Sequence, residues 1–157
     1  MNGTTFFRTA VTADIDRIRT LVRASYAKWV PLIGREPWPM TADYARAVRE
    51  HRIDLLLRGE DLAALIEMIP RDDHLLIENV AVSPAFQRQG LGRTLMAHAE
   101  HVASTLGHNV IRLYTNQLFA ENIAFYHRLG YTIDAEEQWH SGVIVHMHKS
   151  IAPSGLA

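Results

Sequence analysis

The sequence predicts a mixed α/β fold: a central, mostly antiparallel twisted sheet of about six to seven strands, with helices on both faces. Three observations predict it. Residues 53–82 hold three apolar runs joined by tight turns, which reads as an antiparallel meander. Residues 74–115 then read strand, helix, strand, the arrangement that makes a parallel pair. Two short apolar runs near the C-terminus, Tyr131 to Asp134 and Val143 to His148, read as a last antiparallel pair.

Taken in order, Thr4 to Arg8 is a short apolar run and the expected first strand. Thr12 is placed to cap the first helix, with Asp14 and Asp16 in its first turn. Ile15, Ile18, Leu21 and Val22 follow at helical spacing. Trp29-Val30-Pro31 should end that helix, because the residue before proline resists the α region. Residues 31–41 hold three prolines and a glycine and read as a loop. Thr41-Ala42-Asp43 is expected to cap a second helix over about 42–51. The strands Ile53 to Arg58 and Leu62 to Ile69 follow, turned near Gly59 to Asp61. Pro70 to Asp73 is the next turn.

Residues 74–96 are the stretch around which the chain is organised. His74 to Val82 is an apolar strand closed by Ser83-Pro84. Gln87-Arg88-Gln89-Gly90-Leu91-Gly92 leads into a helix that should end near Gly107. A strand running through a glycine loop into a helix points several N–H groups at one spot, where the helix dipole adds about half a positive charge. That is an anion site, most naturally for phosphate. Asn109 to Thr115 is the next strand and Ala120 to Leu129 the last helix, with Gly130 at its end.

The chain of 157 residues is most simply one domain, with a core over about 5–149 and a flexible tail over 150–157. The formal net charge of -1 gives no pull toward nucleic acid or a membrane surface. No apolar run approaches a membrane span, and the N-terminus lacks the layout of a secretory signal, so a cytoplasmic protein is expected. There are no cysteines, which excludes disulfides and thiolate metal sites. His98 and His101, and His146 and His148, are pairs without further ligands at fixed spacing, so no metal is expected.

The motif Gln87-x-x-Gly90-x-Gly92, directly after a strand and opening a helix, resembles the acetyl-coenzyme A signature of the GNAT superfamily of N-acetyltransferases. Asn122, Ala124, Phe125-Tyr126, Leu129, Gly130 and Tyr131 resemble the family's downstream segment in order, with tighter spacing before the Phe-Tyr pair. The opening FFRTAVTADIDRI is also similar to the family's first strand and helix. The resemblance covers about residues 5–149. It implies an acetyl-CoA-dependent N-acetyltransferase whose central strand splays from its parallel neighbour. By that resemblance, backbone groups of Val80, Ala81 and Val82 hold the pantetheine arm as an added strand. Gln87, Arg88, Gln89, Gly90, Leu91, Gly92 and Arg93 form the pyrophosphate loop, and Asn122 contacts the coenzyme. Dimers are common in the family, so a homodimer is an open option.

Acetyl transfer needs a base for the amine and a proton for the departing thiolate. Glu78 is an acid in an apolar run, and strand alternation puts it on one face with Val80 and Val82. It is the candidate base, directly or through water. Its structural alternative is a carboxylate paired with an arginine at the sheet edge. Tyr126 is the candidate acid, since a phenol stays protonated at neutral pH. With no cysteine to carry the acetyl group, direct transfer through a ternary complex to a primary amine is expected. The acceptor is a small molecule or a peptide, and Trp29, Trp38 and Met40 are the candidates to shape its site. The alternative reading is a sensor module that binds acyl-CoA without catalysis. A nucleotide-binding P-loop is disfavoured, because the loop lacks the Gly-Lys-Ser/Thr ending.

Overall fold

The computed structural model describes residues 4–152. Strand β1 (Thr5–Thr9) leads to helix α1 (Ile15–Tyr26), and helix α2 (Tyr44–Glu50) precedes the meander β2 (Arg52–Arg58), β3 (Asp61–Pro70) and β4 (Leu75–Val82). Helix α3 (Leu91–Thr105) crosses to β5 (Val110–Asn116), and helix α4 (Ala120–Arg128) leads to β6 (Thr132–Trp139) and β7 (Gly142–Ser150). One seven-stranded sheet results, in the order β1-β2-β3-β4-β5-β7-β6. Its only parallel pair among the described residues is β4 with β5. The meander, the crossover and the terminal hairpin are those expected from the apolar runs.

Two apolar clusters lie on the two faces. Leu91, Leu95, Met96, Ala99 and Val102 of α3 pack with Leu75, Ile77, Ile111 and Leu113 and with Tyr126 of α4. Ile18, Leu21 and Val22 of α1 pack with Tyr44 and Ala47 of α2 over Ile53, Leu55, Leu57, Leu65 and Ala81. Burying each leucine-sized side chain is worth about 1.5–3 kcal/mol, so these stripes decide which face each helix covers.

Several local expectations change. Thr12 does not cap α1. Instead Asp14 accepts from the Val11 N–H at 2.8 Å, after a 3-10 turn over Thr12–Asp14. Within the expected capping stretch Thr41-Ala42-Asp43, the cap is Asp43: its carboxylate accepts from the Arg46 N–H at 3.0 Å. Helix α1 stops at Tyr26, before the expected Trp29-Pro31. Pro31 instead sits in the first turn of a helical turn, Val30–Ile33, where its missing N–H costs nothing. A second helical turn, Trp38–Thr41, also interrupts the expected loop. At the C-terminus β7 runs to Ser150, and the Ile151 N–H donates to Asn109 O at 2.9 Å. Residues 153–157 of the expected tail lie outside the described residues.

The largest correction concerns Glu78. In the β3–β4 ladder Glu67 opposes Asn79 and Met68 opposes Ile77, so Glu78 is an extra, unpaired residue. The bulge flips the alternation. Leu75 and Ile77 pack in the α3 cluster, whereas Ala81 packs in the α1 cluster and Val80 and Val82 turn toward α3. Glu78 therefore does not share a face with Val80 and Val82.

Candidate functional site

The site grows from the place where β4 and β5 part. Their pairing runs through Leu75–Ile111, Leu76–Arg112 and Ile77–Leu113 and then stops. From Glu78 onward that edge of β4 has no strand partner, while the other edge stays paired to β3 through Val82. Backbone groups left unpaired along a strand edge accept an extended amide-bearing ligand as an added strand. Two carbonyls on this edge already have side-chain donors. The Tyr26 hydroxyl lies 3.3 Å from Val80 O, and Gln87 Nε2 lies 3.5 Å from Val82 O.

A cleft of about 520 Å³ opens beside this edge, with Val80, Val82, Gln87, Arg88 and Gly92 among its lining residues on one side. Trp29, Asn122, Phe125 and Tyr126 line it as well. Lys28, Arg88 and Arg128 bring three cations to it and Glu121 one carboxylate, a balance suited to a polyanion. The Leu91, Gly92 and Arg93 N–H groups belong to the first turn of α3 and lack intrahelical acceptors; the ladder begins with Thr94 N–H on Gly90 O. Arg88 at φ 64 and Gly90 at φ 77 both adopt the left-handed region that aims the loop. For Arg88 this costs about 1–2 kcal/mol, which the loop must recover elsewhere. At Gly92 an added Cβ would lie 3.2 Å from the Phe125 ring, so the glycine lets α3 and α4 close on each other.

The remaining loop residues divide by side chain. Gln89 turns away and accepts from Arg58 Nη1 at 2.7 Å. Leu91 is buried in the core, and the exposed Arg93 side chain does not line the cleft, so both can contribute only backbone N–H groups there. The Ala81 side chain faces the α1 cluster.

A second cavity lies on the far side of the parting strands, lined by Glu78, Asn79, Tyr114, Trp38, Asn122 and Tyr126 among others. Tyr26, Val80, Asn122 and Tyr126 line both spaces and form the wall between them. Glu78 Oε1 accepts from the Tyr114 hydroxyl at 2.5 Å. Burial, then the hydrogen bond to Glu78, pushes the Tyr114 phenol upward, so it remains a donor. Burial alone pushes the Tyr126 phenol up to about 12. Asn79, buried beside Glu78, accepts from the Tyr26 hydroxyl at 2.8 Å and donates to Tyr44 Oη at 3.1 Å. Tyr44 in turn donates to Pro39 O at 2.6 Å. This chain ties α1, α2 and the Trp38 turn to the bulge.

Of the three expected acceptor residues, Trp38 lines the Glu78 cavity and is 65% exposed. Trp29 instead lines the cleft, stacked on Phe119 at 4.4 Å. Met40 is buried and lines neither space. Of the paired histidines His98, His101, His146 and His148, three go to separate carboxylates: His98 to Asp54 at 2.7 Å, His146 to Glu137 at 2.9 Å and His148 to Asp134 at 2.5 Å. Sequence reasoning missed Asn79, Tyr114 and Glu67. Only strand register shows that Tyr114 follows the last paired residue of β5 and thereby reaches Glu78.

The comparisons with known proteins agree with this geometry. The family model described as acetyltransferase (GNAT) family matches residues 15–131. No curated protein matches the chain. Among solved structures, the ribosomal-protein-S18-alanine N-acetyltransferase from Escherichia coli is similar at 22% identity and TM-score 0.77, over 98% of this chain and 99% of that one. The PaiA N-acetyltransferase from Thermoplasma acidophilum, solved with coenzyme A, is similar at 16% identity and TM-score 0.80, over 94% and 99%. A GNAT-family protein from Desulfovibrio desulfuricans, described as an acetyltransferase by family, is similar at 20% identity and TM-score 0.78, over 95% and 100%. At these identities the likeness is one of fold.

Proposed function

The chain belongs to the acetyltransferase (GNAT) family, and from that premise we propose that it transfers the acetyl group of acetyl-coenzyme A directly to a primary amine within a ternary complex. The observation that carries the reading is the end of β4–β5 pairing at Ile77, which leaves an open strand edge next to an unpaired acid.

The residues fit the coenzyme. The free edge over Val80 to Val82 suits the amide-rich pantetheine arm. The first N–H groups of α3, with Arg88, suit the pyrophosphate. Asn122 stands at the wall between coenzyme cleft and acceptor cavity. When bound, acetyl-coenzyme A supplies an activated acetyl thioester. Glu78, held by Tyr114, takes the proton that the amine must lose before it attacks. Tyr126, on the shared wall, holds a proton for the departing sulfur. With no cysteine in the sequence, no thiol of the protein competes as an acetyl carrier. The Escherichia coli neighbour acts on an alanine of a ribosomal protein, which supports an amine acceptor here. Trp38, exposed at the cavity rim, offers an aromatic face to that acceptor.

The test is release of free thiol from acetyl-coenzyme A against a panel of small amines, amino acids and peptide N-termini. Thiol release that depends on one amine class, with an initial-rate pattern of intersecting lines, supports the reading. Parallel lines would indicate an acetyl-enzyme and overturn the direct step. Coenzyme binding without turnover on any amine would favour the sensor reading.

A further inference from the structure

A buried acid beside the Glu78 bulge lies outside the chemistry described so far. Glu67 on β3 is 4% exposed and opposes Asn79 in the ladder, the residue that follows the bulged Glu78. Its Oε2 lies 2.6 Å from His51 Nδ1. The His51 side chain is 27% exposed, so the pair reaches from the interior to solvent. A cavity of about 300 Å³ is lined by Glu78, Asn79, Glu67 and His51 together. That is room for several waters at ~30 Å³ each. It meets the acceptor cavity at Glu78, Asn79, Trp38 and Pro39.

We infer that Glu67 and His51 are the route by which the acceptor's proton travels from Glu78 to bulk water. The inference rests on the proposed amine acetylation. The N–H bond of the attacking amine breaks and its proton goes to a Glu78 oxygen. Water in the shared cavity takes that proton and delivers one to Glu67. Glu67 passes a proton to His51 Nδ1 when the ring is in its Nε2–H tautomer, the imidazolium releases its Nε2 proton to bulk water, and exchange with solvent returns the remaining proton from Nδ1 to Nε2. One proton leaves the amine and one enters solvent, with no change of oxidation state.

The surroundings favour a proton carrier over a fixed ion pair. Glu67 is faced by His51, by Asp43, Tyr44 and Arg46 at α2, by Glu78, and by the Tyr26 and Tyr114 hydroxyls. Arg46 is held by Glu50 at 2.6 Å, and Asp43 caps α2. Burial raises the Glu67 carboxyl, the hydrogen bond from His51 opposes it, and the charge of Glu78 adds to the rise. A carboxyl with a raised pKa exchanges protons with imidazole more readily than an ordinary one.

The experiment compares wild type, Glu67→Gln and His51→Asn with the best amine of the panel. Melting temperature and coenzyme A affinity are measured first, to establish that each variant is folded. The route predicts a kcat lower by about tenfold, an unchanged KM for amine and acetyl-coenzyme A, and a larger solvent deuterium isotope effect on kcat. In a Glu78→Gln background, Glu67→Gln should add no further loss. Unchanged kcat and isotope effect in both folded variants overturn the route alone. So does a raised KM for amines with unchanged kcat, which would make this cavity a binding subsite for cationic acceptors. If wild type releases no thiol with any amine, the acetyl-transfer reading fails and the route fails with it.

Discussion

The Tyr114 hydroxyl donates to Glu78 Oε1 at 2.5 Å, across the gap where β4 and β5 cease to pair. The contact joins a bulged residue, which has no ladder partner to hold it, to the residue just past the last parallel pair. A hydrogen bond to a charged acceptor is worth about 1.5–3 kcal/mol. The bond keeps the carboxylate aimed at one place in the cavity that it lines.

Two substitutions separate the base from its positioning. Glu78→Gln should lower kcat by about 10²–10⁴-fold, the range of a general base. Tyr114→Phe should lower it less, about tenfold, because the carboxylate remains but loses its anchor. Both should leave coenzyme A affinity unchanged by calorimetry, since neither residue lines the coenzyme cleft. Full activity in Glu78→Gln would remove it as the base.

Tyr126 should act as a hydroxyl and not as a phenolate. With its phenol pushed up to about 12 by burial, it stays protonated through neutral and moderately alkaline pH. The rate should therefore show no loss from this group between about pH 7 and 10. Tyr126→Phe should reduce kcat while the melting temperature holds. Equal kcat for Tyr126→Phe and wild type would exclude it as the acid.

Gly92→Ala tests the closeness of α3 and α4. Its Cβ would meet the Phe125 ring at 3.2 Å, and a ring packed on Tyr126 at 5.5 Å between centroids has little freedom to retreat. The substitution should cost about 1–3 kcal/mol of stability as overpacking. It should also weaken coenzyme A binding, because Gly92 and Phe125 both line the cleft. Gly92→Ala combined with Phe125→Leu should recover part of both losses; no recovery would show that the ring is not the obstacle.

Acid stability should depend on Asp14. Arg8 donates to both its oxygens at 2.8 Å, and the Val11 N–H donates at 2.8 Å. The Arg8 hydrogen bond, opposed by burial, holds the carboxyl below the usual aspartate range. The stabilisation is therefore complete above the unfolded pKa of about 4 and fades as pH falls through the lower folded value. Asp14→Asn should cost about 2 kcal/mol at neutral pH. In urea titrations its deficit against wild type should shrink below about pH 4. A deficit that stays constant from pH 7 to pH 2 would rule out the ionic origin.

How legible the molecule was depended on the range of each signal. The strand–glycine loop–helix arrangement could be read because strand, Gln87, Gly90, Gly92 and helix are contiguous, and local steric rules act on contiguous residues. The three meander strands could be read because short turns force neighbours to pair. At both helix starts the side chain that bonds a backbone N–H is a carboxylate two residues past a threonine, Asp14 with Val11 and Asp43 with Arg46, and a carboxylate is a stronger acceptor than a hydroxyl. The bulge at Glu78 was not legible, because an extra residue in one strand is defined only against its partner.

The sequence by itself determined the order of elements, the parallel crossover and the glycine loop that opens α3, since periodicity and turn chemistry are short-range. It also carried the identity of Glu78 and Tyr126 as the two groups with suitable chemistry. Only the tertiary structure decided where they stand. Register turned Glu78 off the Val80 face and toward Tyr114 and Glu67, and packing put Tyr126 on the wall between two cavities. It put Trp29 on the cleft beside Gly92 and Trp38 on the cavity beside Glu78. The physical reason is that side-chain direction in a sheet follows the pairing of distant strands, and an alternation of period two reverses with a single inserted residue.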